Sequence, residues 1–352
     1  MEARKKEHQS CTTFYLFSLL LLFICIITAA SIGSASLSPK KSFIILLSKI
    51  PLLRQFISKQ EIPKVYVTIL FQIRLPRILL SALVGGSLAF VGAVFQGLFR
   101  NPLADPHILG ISSGAALGAT IAILFGIQMS FLGLGAIGCL AFLGALLTVL
   151  LVYQLSCTGL GTDTVGLLLT GTAVSTMLSS VISLLMTIKR EGIEQVYYWT
   201  LGSFSGATWW KVAYLAIFLG IGGGILLFHT KELNLMVVGE EGAASLGIEI
   251  QRVRRRLILA ASILVATCVS VSGVIGFVGL IIPHCMRFFA GSDHKKLLPF
   301  SLLGGAIFSI ICDTIARTIT APAELPVGVI TALLGAPYFI FLLYKSKRGK
   351  NE

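Results

Sequence analysis

The 352-residue sequence has little charge: 12% of its residues are Asp, Glu, Lys or Arg, whereas 55% are hydrophobic and the mean hydropathy is +0.91. That balance excludes an ordinary soluble domain. No GxxxxGK[ST] loop occurs, so any ATP chemistry must sit on another chain. The five histidines form no HExxH pair, and the seven cysteines (Cys11, Cys25, Cys139, Cys157, Cys268, Cys285, Cys312) show no CxxC spacing. Those cysteines lie in or beside apolar runs, so packing is expected of them, not metal or disulfide chemistry. His284 and Cys285 are neighbours, and on a helix they point different ways. The apolar runs are continuous rather than alternating, which argues against a membrane β-barrel.

What is present is a series of apolar runs near the length of a membrane-spanning helix. Spans are expected at 14–32, 78–99, 107–126, 131–153, 166–187, 211–229, 257–274, 275–290, 297–317 and 326–344, giving an all-α polytopic protein of about ten helices. The run 257–290 is long for one span and tight for two, and Ser272, Gly273 and Gly276 offer a place to break it. The first run follows Arg4-Lys5-Lys6 and exceeds a usual signal-peptide core, so it is read as a retained span. Ten spans with both termini cytoplasmic put 16 of the 28 basic residues inside, in keeping with the positive-inside tendency. Eight of the others fall between Lys40 and Arg77, in a long outer segment where Phe43 to Ile57 reads as an interfacial helix. The net charge of +13 is therefore assigned to span flanks and anionic lipid, not to nucleic acid.

Small residues recur every four positions at Gly85, Ala89, Ala93 and Gly97, and again at Gly110, Gly114, Gly118, Ala122 and Gly126. A third stripe runs Gly171, Ser175, Ser179, Ser183. Such stripes let helix backbones approach closely. Residues 77–110 and 256–292 echo each other faintly, and inverted repeats are the expectation from that echo.

Gly110-Ile111-Ser112-Ser113-Gly114 matches the GxSxG pattern of a hydrolase nucleophile elbow, but that chemistry needs a strand–turn–helix setting with His and acid partners. Here the motif opens an apolar helix, so no catalytic residue is expected. In the segment Arg74-Leu75-Pro76-Arg77, Pro76 suits a helix start; Pro102 and Pro106 break the chain between spans, and Asp105 is expected to cap the following helix.

These motifs, taken in order, carry a resemblance. "RLPR" (74–77), "NPLADPHILGISSGAALGA" (101–119), "GFVGLIIPHCMR" (276–287), "DHKKLLP" (293–299) and "AELPVGVITALLGAPYFI" (323–340) resemble the FecCD-type permeases of ABC importers for iron–siderophore, haem and cobalamin. The segment from Gly239 to Gly247 resembles the EAA-type loop that docks into a separate ATPase, with Glu241-Gly242-Ala243-Ala244 standing for a strict Glu-Ala-Ala.

The resemblance implies one permease domain over 1–352: a variable part at 1–65, a family core at 66–345 and a coupling loop within 231–256. It implies a homodimer (or a heterodimer with a close paralogue) and two ATPase subunits inside, which bind ATP and Mg, this chain itself holding no cofactor. An extracytoplasmic solute-binding protein docks outside, and the setting is a bacterial-type cell membrane. Arg74, Arg77 and Arg317 are the positions expected to dock that protein through its carboxylates, although Asp313, four residues before Arg317, offers Arg317 an internal partner. Glu240, Glu241, Gly242, Ala243, Ala244 and Gly247 are expected to couple to the ATPase. The hydroxyl-rich span 166–187 is expected to line the path with Thr172, Ser175, Thr176 and Ser179, with Thr162 and Thr164 at its inner mouth. An iron–siderophore complex is the expected cargo, with haem or cobalamin as alternatives. An ion-gradient-driven transporter is disfavoured, because Asp313 is the single acid placed deep in a span.

Overall fold

The computed structural model describes residues 2–33, 43–45, 63–131, 133–158, 161–162 and 164–348. Its helices are α1 (Glu2–Ser31), α2 (Lys64–Leu98), α3 (Ile111–Leu124), α4 (Ala136–Ser156), α5 (Thr164–Ile188), α6 (Ile193–Thr200) and α7 (Trp209–Phe228). There follow α8 (Thr230–Val238), α9 (Glu240–Ser245), α10 (Ile250–Ser272), α11 (Val278–Ala290), α12 (His294–Ala316) and α13 (Val327–Arg348). Two tiny hairpins flank α4: β1 (Ser130–Phe131) pairs with β2 (Leu134–Gly135), and β3 (Cys157–Thr158) with β4 (Gly161–Thr162).

Seven of these helices, α1, α2, α4, α5, α7, α10 and α12, are long and apolar enough to cross a membrane, and α3, α11 and α13 are shorter apolar helices. Together they occupy the ten expected spans, so ten is an approximate count. The interfacial helix expected over Phe43 to Ile57 lies outside the described residues apart from 43–45, which are helical.

The centre of the bundle is α2, with 83% of its most apolar stretch buried. It packs against α12, α11, α10 and α7. Small residues make that possible. A Cβ on Gly85 would enter the Gly305 carbonyl of α12, and one on Gly305 would enter the Gly85 carbonyl. The same reciprocal contact joins α3 and α4 through Gly114 and Gly144. The stripes read from the sequence are thus sites of backbone-to-backbone approach.

Three local expectations need correction. First, α2 does not start near Pro76 but runs back to Lys64, through a π-helical turn at Ile69–Arg74. Within it the Leu75 N–H bonds the Leu70 carbonyl, so the next carbonyl, Phe71, faces the ring nitrogen of Pro76, which has no hydrogen to give. The indole Nε1 of Trp209, at the start of α7, donates to that carbonyl instead, at 2.9 Å. The π turn accommodates the proline, and Trp209 supplies the missing donor.

Second, Asp105 does not cap α3. Its carboxylate accepts from His107 N–H at 2.8 Å in a local turn, while α3 begins after Gly110 at φ +76°. Third, the coupling loop expected over 231–256 is largely helical, and its last residues, with Arg252, Arg254, Arg255 and Arg256 among them, form the first turns of α10.

The break between α10 and α11 falls where expected. It spans Gly273 at φ +72° to Phe277 at φ +68°, and a Cβ on Gly273 would meet the Trp199 carbonyl. The GxSxG segment has no strand before it. The Ser112 hydroxyl instead meets His107 Nδ1, whose other ring nitrogen faces the Ile275 carbonyl at 3.0 Å. A serine and histidine resting on a backbone carbonyl tie the α3 entry to the α10–α11 break; they lack the acid a hydrolase needs.

Candidate functional site

Three groups of residues carry the expectations from the sequence, and the bundle places them at different positions. The first is the short helix α9 between α8 and α10. Glu240 opens it and turns inward: its Oε1 lies 2.7 Å from Arg254 Nη2 of α10 and 3.3 Å from Arg100 Nη2 beyond the end of α2. Arg254 is buried, so the closer pair works in a low-dielectric setting, whereas Arg100 is half exposed and adds less. Ala243 is also buried. Glu241, Gly242, Ala244 and Gly247 face outward, and Gly247 turns the chain at φ +83°. A Cβ on Gly239, Gly242 or Gly247 would meet nothing within 4 Å.

Beside that open face stand Val238, 89% exposed, and Leu246, 69% exposed. Sequence reasoning singled out neither, though both flank the small-residue segment on its two sides. Two bare apolar side chains framing a short helix whose outer face is mostly Gly, Ala and Ser, with Glu241 as its one long exposed side chain, make a surface suited to seating in a cleft of another protein.

The second group is at the opposite end of the bundle. Arg74, Arg77 and Arg317 come together there, as expected, but their donors are turned into the protein. Arg74 donates to the Ala30 and Ser31 carbonyls at the end of α1, at 2.6 and 3.2 Å, and Arg317 donates to the Ala29 carbonyl. The last carbonyls of a helix lack intrahelical partners and carry partial negative charge, so two guanidinium groups there both satisfy and stabilise them. Arg77 binds Asp313 through Nε at 3.0 and 3.1 Å and through Nη2 at 2.9 Å, and holds Glu324 through Nη1 at 2.9 Å. Asp313 is almost fully buried, and its main partner is Arg77; Arg317 Nε is more distant, at 3.8 Å. Glu324 was not anticipated, although its place in "AELP" marked it.

The third group is α5. It packs against α3 and α4, yet only 22% of its most apolar stretch is buried. Thr172, Thr176 and Ser179 are exposed and Ser175 is partly so. The hydroxyls of Thr172, Thr176, Ser180 and Ser183 bond carbonyls three or four residues earlier on their own helix. That arrangement removes the donor and leaves lone pairs outward. No charged residue occurs between Thr164 and Ile188. Thr162 lies in β4 and Thr164 opens α5; their side chains are outside the described set. Among the described residues no group of His, Cys, Asp and Glu is placed to hold a metal ion.

Comparison with known proteins matches this arrangement to one family. A family model described as the FecCD transport family matches residues 20–345. The chain is similar to the cobalamin import system permease protein BtuC of Halobacterium salinarum, with 45% identity over 283 residues, covering 80% of this chain and 75% of that one. It is similar to the molybdate import system permease protein MolB of Haemophilus influenzae, with 40% identity over 336 residues, covering 94% and 95%. A solved inward-facing structure of an ABC transporter assigned to the metal-chelate type superposes with a TM-score of 0.81 at 36% identity, covering 95% of this chain and 99% of that one.

Proposed function

This chain belongs to the FecCD transport family, and from that premise we propose that it forms the path by which an intact metal chelate, an iron–siderophore complex first among them, enters the cell. It is the permease subunit of an ABC importer, a multi-pass membrane protein in which ATP hydrolysis is done by a separate ATPase. The observation that carries the cargo reading is the exposed face of α5, which offers hydroxyl oxygens and no fixed charge. A bulky chelate with its metal already coordinated needs a path that is wettable yet not adhesive. A bare oxyanion would instead need donors or cations to offset its dehydration.

The reading extends to partners. Two copies of this chain meet across α5, whose exposed hydroxyls at Thr172, Thr176 and Ser179 suit a contact with protein or water better than one with lipid. The ATPase seats on the Val238–Leu246 face, and the solute-binding protein meets the arginine end, where its carboxylates compete with Glu324 for Arg77. Both termini lie in the cytoplasm, the arrangement that gathers most basic residues inside. Cobalamin is the second reading, supported by the 45% identity to a cobalamin permease.

The test is uptake into proteoliposomes holding the permease, its ATPase and its binding protein. A ferric siderophore should accumulate only with ATP, and should still accumulate when ion gradients are collapsed. Accumulation of cobalamin and not of the siderophore favours the second reading; ATP-independent uptake overturns both.

A further inference from the structure

One polar junction in the molecule is used by none of the three groups. Asn234 lies on α8, the helix that leads into α9. Its Oδ1 accepts from the backbone N–H of His294 at 3.0 Å and lies 2.6 Å from His294 Nδ1, while its Nδ2 donates to Asp293 Oδ1 at 2.8 Å. A carboxylate on one side demands a donor and a backbone N–H on the other demands an acceptor, so the amide has one orientation and His294 carries its proton on Nδ1. Asp293 is the N-cap of α12, where it also accepts from Lys295 N–H at 3.0 Å. One amide therefore grips the first turn of α12 at three points.

The junction reaches α2 as well. His294 is 2% exposed and sits against α2 so tightly that a Cβ on Gly97 would lie 2.5 Å from its Nε2. Leu233, next to Asn234, is fully buried and contacts the same glycine position. At the start of α9, Glu240 is tied to Arg254 and Arg100. The pair α8–α9 is thus fastened to α12, α2 and α10, whereas α5 packs against α3 and α4.

We propose that Asn234 is the positioning residue through which a displacement of α8–α9 is handed to α12 and α2. This rests on the reading of α9 as the ATPase dock. Movement of packed elements as rigid bodies needs directional ties where two elements would otherwise slip, and Asn234 is such a tie. It faces α12 rather than the Val238–Leu246 surface, so removing it loosens transmission without touching the dock.

The test uses the full permease–ATPase complex in nanodiscs, with ATP and vanadate as the probe and hydrogen exchange as the readout. In the wild type, trapping should alter exchange at 238–247 and, remotely, over 313–320, at the far end of α12 and in the turn that follows it. In Asn234→Ala the change at 238–247 should persist, while the remote change shrinks about tenfold, the scale of a typical coupling between sites. Asn234→Asp should behave likewise, because it sets a carboxylate against Asp293. The double variant Asn234→Asp with Asp293→Asn restores a donor–acceptor pair and should recover the remote response. A packing role alone would not follow that exchange of donor and acceptor. An undiminished remote change in Asn234→Ala, or a double variant no better than Asn234→Asp, overturns the proposal. If Asn234→Ala does not assemble, the other two variants decide. No change at 238–247 in the wild type overturns the docking reading and this inference with it, whereas loss of the remote change alone leaves the dock standing.

Discussion

Arg77 and Asp313 join α2 to α12 by a two-pronged ion pair, with the Arg77 Nε and Nη2 both within 3.1 Å of the carboxylate. The pair is deeply buried, and the free edge of Arg77 is taken by Glu324. Removing one member of a buried pair leaves an uncompensated charge. Arg77→Ala should therefore lower stability by about 3 kcal/mol. Glu324 is exposed on its outer side, and Glu324→Gln should cost under about 1 kcal/mol. Thermal melts of the two variants in detergent check the difference. Glu324→Gln should also tighten binding of the solute-binding protein, by freeing Arg77 for its carboxylates. Reversing Arg74 and Arg77 to Glu tests docking and folding at once, since both hold internal partners, so Glu324→Gln is the cleaner experiment.

Trp209→Phe keeps the ring and deletes the donor to the Phe71 carbonyl. With Pro76 unable to replace it, the variant should lose about 1 kcal/mol. A denaturant titration of the variant beside Trp210→Phe, whose side chain is largely exposed, measures the effect against an internal control.

Gly242→Arg and Ala244→Arg place a long cation on the open face of α9. Gly242 has space around it, so the fold should be kept and stability should change by less than about 0.5 kcal/mol. Co-purification of the ATPase and ATP-driven uptake should both be lost. Normal co-purification with normal uptake would show that α9 is a solvated turn.

Thr176→Glu puts a carboxylate on the hydroxyl face of α5. Because Thr176 is exposed in the single chain, folding should be intact. Uptake should fall by more than about tenfold, because a fixed carboxylate would hold or repel a charged chelate along a path that otherwise carries no fixed charge. Thr176→Ser should transport normally. Equal uptake by the Glu variant would place the path elsewhere.

The purified chain without partners should hydrolyse no ATP above a protein-free control, because it has no phosphate loop. A rate that tracks the amount of this chain through successive purification steps would sink that expectation.

Much of the architecture was legible because the membrane imposes it. Runs of apolar residues gave the spans, and glycine periodicity marked the close crossings at Gly85–Gly305 and Gly114–Gly144. What escaped was set by partners distant in sequence. Nothing near Pro76 reveals that α2 continues back to Lys64, since the donor that satisfies Phe71 is Trp209, far along the chain. The inward turn of Arg74 and Arg317 depends on where α1 ends, and that is decided by packing. Arg317 with Asp313 was the local pairing visible at helical spacing, yet the non-local Arg77 makes the shorter contact. The Asn234–His294 junction has no local signal, because neither residue is unusual until α8 and α12 meet.

The glycine crossing of α2 and α12 has a mechanical consequence. Where Gly85 faces Gly305, backbone lies on backbone with the small side chains of Ser309 and Ala89 fitted between, so the two helices are held close at their middle. They are pinned again at the two ends of α12, by Arg77–Asp313 at one and by His294 against Gly97 at the other, ties about 30 Å apart along α12. A pair of rods in close contact at the middle and tied at both ends of α12 behaves as a single lever. A push on one tip therefore appears at the other at nearly full stroke.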